Sequence, residues 1–391
     1  MLQGKTLLVL TGGGLAPALN PTLYGLIKSA QEQKMKILGG LFGWTCLGEQ
    51  GRMIDLTEFN PDPIKRVGGT FLRSSRTNPF AINDGIVILK KKLKENNIDY
   101  IVAVGGNDTL GAALKLFQQE DIKVVGIPKT IDNDLQATYW APGYPSAAHF
   151  TAQFSYEVKI DAAYALSRVF IIEVLGRKSG WLAAAGAFGL ADVIIPPEKV
   201  VSLDSVLQQV ASKYKENGSF ATVIISEETR FDKEILGINQ VTDRSDKFNI
   251  KRKSFVAMGL QEKVIAELGI DCKALFPGNF MQSGTPTEID RNFAINLGQQ
   301  AVGLLSSGQF GYMASLERPS KRSLDINLTQ VPLSEAVNKE RYLDDTYFDF
   351  DKLAVKQKFF DYAEPFLSQD NYSQSSYLSL INRLQKKEDA F

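Results

Sequence analysis

Two acids separated by one residue, Asp132 and Asp134, flank Asn133 in GIPKTIDNDL (126–135), directly after an apolar run. Such a carboxylate pair can divide labour, one accepting a hydroxyl proton while the other holds a divalent cation. Lys129 and Thr130 stand just before them, and a lysine there can neutralise charge on a phosphoryl group in transfer. The same residues also suit an Asp-rich capping turn, so this stretch alone leaves both readings open. TGGGLAPALN (11–20) places three glycines between a strand pattern and a helix pattern, which suits a phosphate at a helix N-terminus or a plain tight turn. A dinucleotide fingerprint would need glycine where Pro17 stands, and no Gly-Lys-Ser/Thr follows to make a P-loop. IVAVGGNDTLGAALKL (101–116) raises a sharper question, because Asn107 and Asp108 directly follow Gly105 and Gly106. An acid at the mouth of a glycine turn means either that phosphate is not bound there, or that it is bound with a cation and something larger is refused.

Arginines accompany these loops. Arg73 and Arg76 lie in FLRSSRTNPF (71–80), and in SRVFIIEVLGRKSGW (167–181) Arg168 precedes a strand that Gly176 and Arg177 follow. Arginines at opposite ends of one strand can serve different ligands or different subunits. The sole histidine, His149, falls on an apolar helical pattern and reads as structural. Cys46 and Cys272 form no metal or redox spacing, so zinc chemistry and a Ser-His-Asp triad are both disfavoured.

The elements that must position these residues alternate. Strand patterns over 6–11, 35–44, 100–106, 122–128, 167–175 and 220–226 are separated by helical patterns, among them 82–97, 109–119, 146–166, 254–268 and 288–307. The helix over 82–97 is expected to open on an Asn/Asp cap. Uniformly apolar strands divided by helices predict an α/β protein of two doubly wound, Rossmann-like lobes with mostly parallel sheets. The residues singled out follow strand ends, where ligands of open α/β sheets lie. The tail from about 345 to 391 is expected to be a helical extension.

Lys plus Arg and Asp plus Glu both number 44, and no basic stripe with interleaved aromatics occurs, which argues against a nucleic-acid partner. No apolar run approaches the ~20 residues of a membrane helix. The opening MLQGKTLLVLTGGG does not read as a signal peptide, and few cysteines suit a reducing compartment. A cytoplasmic protein without a membrane partner is expected.

Taken together, these motifs resemble the phosphofructokinase family over roughly residues 5 to 335. TGGGLAPALN resembles the first phosphate loop, GGTFLRSSRTNPF (68–80) the arginine-bearing segment, GGNDTL the second phosphate loop and PKTIDNDL the catalytic segment. RVFIIEVLGRKSGWLAAAGAF (168–188) resembles the sugar-binding strand, and GTPTEIDRNFAINLGQQAV (284–302) the segment after the sugar-phosphate site. The resemblance implies that Asp132 is the base, with Thr130 beside it, and that Gly14, Arg76, Gly106 and Asn107 hold the donor. It implies Mg²⁺ near Asn107 and Asp134. Leu175, Gly176 and Arg177 occupy the family's Met-Gly-Arg position, with Arg177 counted among the catalytic groups, and Glu227 matches an acid that binds sugar hydroxyls. Arg168 matches an arginine that reaches a neighbouring subunit's sugar phosphate, implying a homodimer or homotetramer.

Asp108 and Lys129 address the donor. Members that use ATP commonly carry glycine at both positions. An Asp at 108 would crowd and repel a nucleotide's α-phosphate, while Lys129 attracts the phosphoryl group, a pairing typical of the pyrophosphate-using branch. The implied reaction moves a phosphoryl group from pyrophosphate to the 1-hydroxyl of fructose 6-phosphate, in glycolysis or gluconeogenesis. The acceptor end departs from the family. Gly278-Asn279-Phe280-Met281-Gln282 replaces the usual Gly-Tyr/His-x-Gln-Arg, and Lys273 stands where a basic position upstream is expected. Losing a bidentate arginine is not conservative. Sedoheptulose 7-phosphate, a non-phosphorylated polyol or a nucleoside remain alternative acceptors, and a non-catalytic regulatory homologue is the third reading. The domain expectation is a donor lobe of 1–141 with about 276–312, an acceptor lobe of 142–275 with about 313–344, and the 345–391 extension.

Overall fold

The computed structural model describes residues 2–163, 167–233, 235, 255–320, 325–337 and 339–367, in two compact units. The first comprises Met1–Ala147 with Phe280–Arg341, the second Ala148–Asn279 with Tyr342–Phe391.

The first unit is built on β1 (Thr6–Thr11), β2 (Lys36–Gly40), β3 (Met53–Asp55), β4 (Tyr100–Gly105) and β5 (Val124–Pro128). Strands Tyr312–Glu317 and Asn327–Pro332 complete a seven-stranded sheet in the order Asn327–Pro332, Tyr312–Glu317, β5, β4, β1, β2, β3. Pairing is parallel except at the two edges. All of β1 and β5 and nearly all of β4 are buried, as expected of strands covered on both faces. Helix α1 (Leu19–Glu32) crosses helix Glu288–Ser306 so closely that a Cβ on Gly25 would stand 2.1 Å from the Ile295 carbonyl oxygen. Helix α2 (Gly85–Glu95) departs from its expected cap: Asp84 takes the N-cap position at φ 54° without a side-chain cap bond, and Asn83 Nδ2 donates to its carboxylate at 3.2 Å instead. Helix α3 (Asn107–Glu120) follows β4 after a single residue, Gly106.

One domain expectation is corrected here. The expectation places about 313–344 in the acceptor lobe, yet Met313 pairs with Gly126 of β5, and Phe280–Arg341 belongs to the first unit. A strand returning to a distant sheet carries no local signature of its destination.

In the second unit, four parallel strands run in the order Cys272–Leu275, β6 (Val169–Val174), Ala221–Ser226, β7 (Val193–Ile195). Helix α4 (Tyr144–Asp161) carries the chain from the first unit into the second, and its Lys159 makes a buried 2.7 Å ion pair with Asp192. Helix α5 (Trp181–Ala185) follows the β6 turn, and α6 (Leu203–Glu216) is N-capped by Ser202. Of the expected helical tail, the described part begins with a two-stranded ribbon, Phe348–Asp349 with Ala354–Val355, followed by helix Gln357–Ala363. Its aromatics close on α5: the Trp181 ring lies 5.0 Å from Tyr347 and 5.1 Å from Tyr362. Residues 368–391 of the tail and 164–166 of the expected 146–166 helix lie outside the described residues.

Candidate functional site

Strand register assembles the first group of residues. Thr11 pairs with Val104, and Gly105 pairs with Pro128, so β1, β4 and β5 end level with one another. Two further bonds continue the ladder into the loops: Gly12 N–H donates to the Val104 carbonyl (2.9 Å) and Lys129 N–H to that of Gly105 (3.0 Å). The Gly12–Gly14 turn, the Gly106–Asp108 turn and the Lys129–Asp134 segment therefore sit side by side.

Glycine is required where these turns meet α3. A Cβ on Gly12 would lie 2.3 Å from Thr109 Oγ1, and one on Gly105 2.4 Å from Thr109 Cβ. Gly13 has φ +83° and donates its N–H to the Ser75 carbonyl at 2.9 Å, which ties the first turn to the arginine-bearing segment. A Cβ on Gly14 would meet nothing within 4 Å, so the turn is open on that side. Across from it, Lys129 is 3% exposed and donates from Nζ to the Gly14 carbonyl at 2.5 Å. Burial lowers its pKa to about 8, Asp132 and Asp134 act in the opposite sense, and Arg76 adds to the lowering. Lys129 thus feels the charges of Arg76, Asp132 and Asp134. Arg73 turns away: it is exposed, with its guanidinium 5.1 Å from the Phe42 ring.

Within the Lys129–Asp134 segment, Asp132 N–H donates to Thr130 Oγ1 at 3.0 Å, and Asn133, between the two acids, sits at φ 56°. Asp108 is exposed in the first turn of α3, where the helix dipole favours an acid whatever else it does. Asn107 beside it buries both side-chain polar atoms, Oδ1 and Nδ2, without a hydrogen-bond partner. A buried unsatisfied amide costs about 1–3 kcal/mol per group.

The second unit places its residues at both ends of its sheet. At the carboxyl ends, Leu175 leads from β6 into Gly176 (φ +135°) and Arg177 (φ 52°). A Cβ on Gly176 would stand 2.6 Å from the Ser179 carbonyl oxygen, so only glycine makes this turn. Arg177 N–H donates to Glu227 Oε1 at 3.2 Å, and burial is the main cause that raises the Glu227 pKa. Next to these two residues, Lys178 and Glu228 help line a cleft of about 650 Å³. Arg168 and Lys273 lie at the opposite ends. Arg168 precedes β6 and pairs with Asp271 at 2.8 Å, while Lys273 is exposed and pairs in register with Phe170. Six residues of β6 put roughly 20 Å between Arg168 and Arg177. Exposed Asn279 is the last residue of the second unit's first segment, and half-buried Gln282 lies just after the return to the first unit at Phe280.

Three groups escaped the sequence reading. Arg341 donates its backbone N–H to the Asp134 carbonyl (2.8 Å) and Nη1 to the Thr138 and Tyr139 carbonyls (3.0 Å each), bracing the segment that carries Asp132 and Asp134. Glu173, buried inside β6, accepts from Phe255 and Ala257 N–H at the start of helix Val256–Lys263. Asp290 is fully buried in the first turn of helix Glu288–Ser306. Its signal was available, since Asp290 shares a helical face with buried Ala294, Leu297 and Ala301. Cys46 and Cys272 are buried, with thiol pKa values pushed up to about 12, and burial lowers that of His149.

Glycine turns aligned at the carboxyl edge of a parallel sheet, joined by a buried lysine and paired carboxylates, define a phosphate-handling α/β protein. Residues 6–305 match the family described as phosphofructokinase, and the chain belongs to that family. It is similar to the pyrophosphate--fructose 6-phosphate 1-phosphotransferases of Amycolatopsis methanolica (34% identity, 85% of this chain and 96% of the relative) and Thermoproteus tenax (32%, 85% and 93%). Among solved structures, the pyrophosphate-dependent phosphofructokinase of Nitrosospira multiformis shares the fold, with TM-score 0.82 and 24% identity over 93% of this chain and 92% of that one.

Proposed function

We propose that the chain transfers a phosphoryl group from pyrophosphate to the 1-hydroxyl of fructose 6-phosphate. The observation that carries this reading is the buried Lys129 at the Gly14 carbonyl, among Arg76, Asp132 and Asp134. A small anion of high charge suits that cluster. With Asp108 at the neighbouring turn, a nucleotide extending beyond two phosphates meets a like charge. The names of the relatives from Amycolatopsis methanolica and Thermoproteus tenax support the same donor and acceptor.

In this reading Asp132 accepts the proton of the acceptor hydroxyl as its oxygen attacks the near phosphorus and inorganic phosphate leaves. Lys129, with Arg76, neutralises charge on the phosphoryl oxygens. Among the described residues, no group of three or more His, Cys, Asp or Glu is arranged to hold a metal by itself. A hard cation held by two protein oxygens and the donor's phosphates fits this, and the unsatisfied Asn107 amide with the Asp134 carboxylate would hold Mg²⁺. When bound, Mg²⁺ supplies charge neutralisation at the phosphate oxygens. In the second unit, Glu227 and the Leu175-Gly176-Arg177 turn bind the acceptor's hydroxyls and phosphate. Arg168 and Lys273, at the other end of that sheet, serve the acceptor of a second copy in a homodimer or homotetramer. The protein works in the cytoplasm; no described helix is long and apolar enough to cross a membrane.

The test is a donor-by-acceptor matrix with purified protein and Mg²⁺. Formation of fructose 1,6-bisphosphate from pyrophosphate, with none from ATP, is the expected result. Turnover with ATP alone overturns the donor assignment. A second reading, the same chemistry on another acceptor, is favoured by Asn279 and Gln282 replacing the family's phosphate-binding pattern. It prevails if sedoheptulose 7-phosphate, a polyol or a nucleoside is phosphorylated and fructose 6-phosphate is not.

A further inference from the structure

Asp290 belongs to no role described so far, yet it is fully buried and closely hydrogen-bonded. Its carboxylate receives Gly143 N–H at 3.0 and 3.1 Å, Ser146 N–H at 3.3 Å and the Ser146 hydroxyl in a short bond. Ser146 Oγ in turn accepts Thr287 N–H at 3.1 Å. No cation is among these partners. Burial raises the Asp290 pKa to about 6 against the opposing pull of its donors. Placing a carboxylate here carries a desolvation cost that an apolar residue would avoid.

The groups held by Asp290 lead directly to the chemistry. Gly143 pairs with Thr130 in an isolated parallel bridge, and Thr130 Oγ1 accepts the Asp132 N–H. Gly143 has φ +105°, and a Cβ there would stand 2.6 Å from Ala16 Cβ in the first glycine loop and 3.5 Å from the Thr130 carbonyl oxygen. One buried carboxylate therefore fixes the backbone at which the donor loop and the catalytic segment touch. Capping the start of α4 is a simpler role for Asp290, and it predicts a loss of stability without any coupling to Asp132.

We propose that Asp290 is a positioning residue for phosphoryl transfer, acting through Gly143 and Thr130 to hold the Asp132 carboxylate in line with the acceptor hydroxyl. This rests on the reading of Asp132 as the base.

The experiment is a double-mutant cycle in the full chain, using Asp290→Asn, Asp132→Asn and the pair, with kcat and the KM for pyrophosphate measured for each. Asp290→Asn is expected to lower kcat on the order of 10- to 100-fold, as small misplacements of reacting groups do, with KM changed less than about threefold. In the Asp132→Asn background the same substitution should cost little, because the group it positions is gone. Losses that multiply in the pair, or a rise in KM with kcat retained, overturn the proposal. Ser146→Ala, which removes one donor and spares the backbone bonds, keeps the test decisive if Asp290→Asn does not fold. It should reproduce the kcat-selective loss at about two- to fivefold and the same lack of additivity, and independent effects count against the proposal. Full turnover in Asp132→Asn alone rejects the base assignment itself, a result separate from either outcome for Asp290.

Discussion

The two units handle charge in opposite ways. In the first, three loops converge at one sheet edge, and a lysine is buried against a backbone carbonyl among two acids and an arginine. In the second, the arginines are divided between opposite ends of β6, and Arg168 is engaged by Asp271. In the proposed reading, a donor of fixed shape would be served by preorganised backbone, whereas an acceptor recognised partly by another subunit would call for cations at two ends of one sheet.

The largest test of this contrast is Asp132→Asn. Loss of a general base should lower kcat by roughly 10²- to 10⁴-fold while the acceptor KM stays nearly constant. If both parameters deteriorate together, the first unit is not the seat of chemistry. Lys129→Ala should follow, with kcat/KM down on the order of 10²-fold, as for removal of other electrostatic stabilisers. The pH profile gives the sign. The Lys129 pKa is lowered to about 8, so the protonated form is lost as pH rises through 8, and kcat/KM for pyrophosphate should fall there. A flat profile from pH 7 to 9 would remove the lysine from the mechanism.

The second unit should respond in binding. Arg177→Ala is expected to raise the acceptor KM by about tenfold or more, as loss of a charge-assisted contact does. Arg168→Ala should do so only in the oligomer, which sedimentation alongside the assay can check. Asp108→Gly addresses the donor boundary: measurable turnover with ATP should emerge as the like charge is removed, while pyrophosphate activity changes by only a few-fold. The smallest effect belongs to the turn itself. Gly12→Ala would press a methyl against Thr109 and should cost about 1–3 kcal/mol in denaturant unfolding, part of it relieved by Thr109→Ser.

Much of the first unit was legible because continuous apolar runs ending in glycine mark buried parallel strands, and register then brings their loops together without further instruction. Lys129 and Asp132 stood out by their place just past such a strand, and Gly14 and Asn107 by the family resemblance of their loops. What escaped notice acts through distant partners. Arg341 braces Asp134 across two hundred residues of sequence, and strand Asn327–Pro332 is largely exposed on an edge, so neither announces where it docks. Asp290 carries no signal of its role within GTPTEIDR, because a single acid on an apolar helix face reads as an exception until its donors are seen. The tail is expected as a helical extension, but its short ribbon and its packing on α5 are not legible in the sequence, because aromatic clustering has no short-range period.

The discontinuity of the first unit bears on the order of assembly during synthesis. β5 has no outer neighbour until Tyr312–Glu317 emerges, and the carboxylate of Asp290 also arrives long after the Gly143 and Ser146 groups it receives. The four-stranded sheet of the second unit, by contrast, is encoded entirely before residue 280. A nascent chain can therefore complete that later-starting sheet while the earlier one still waits for its last strands, reversing the usual N-terminal-first sequence. The Gly12–Gly14 and Gly106–Asp108 turns, made well before those strands, are among the last parts to be locked.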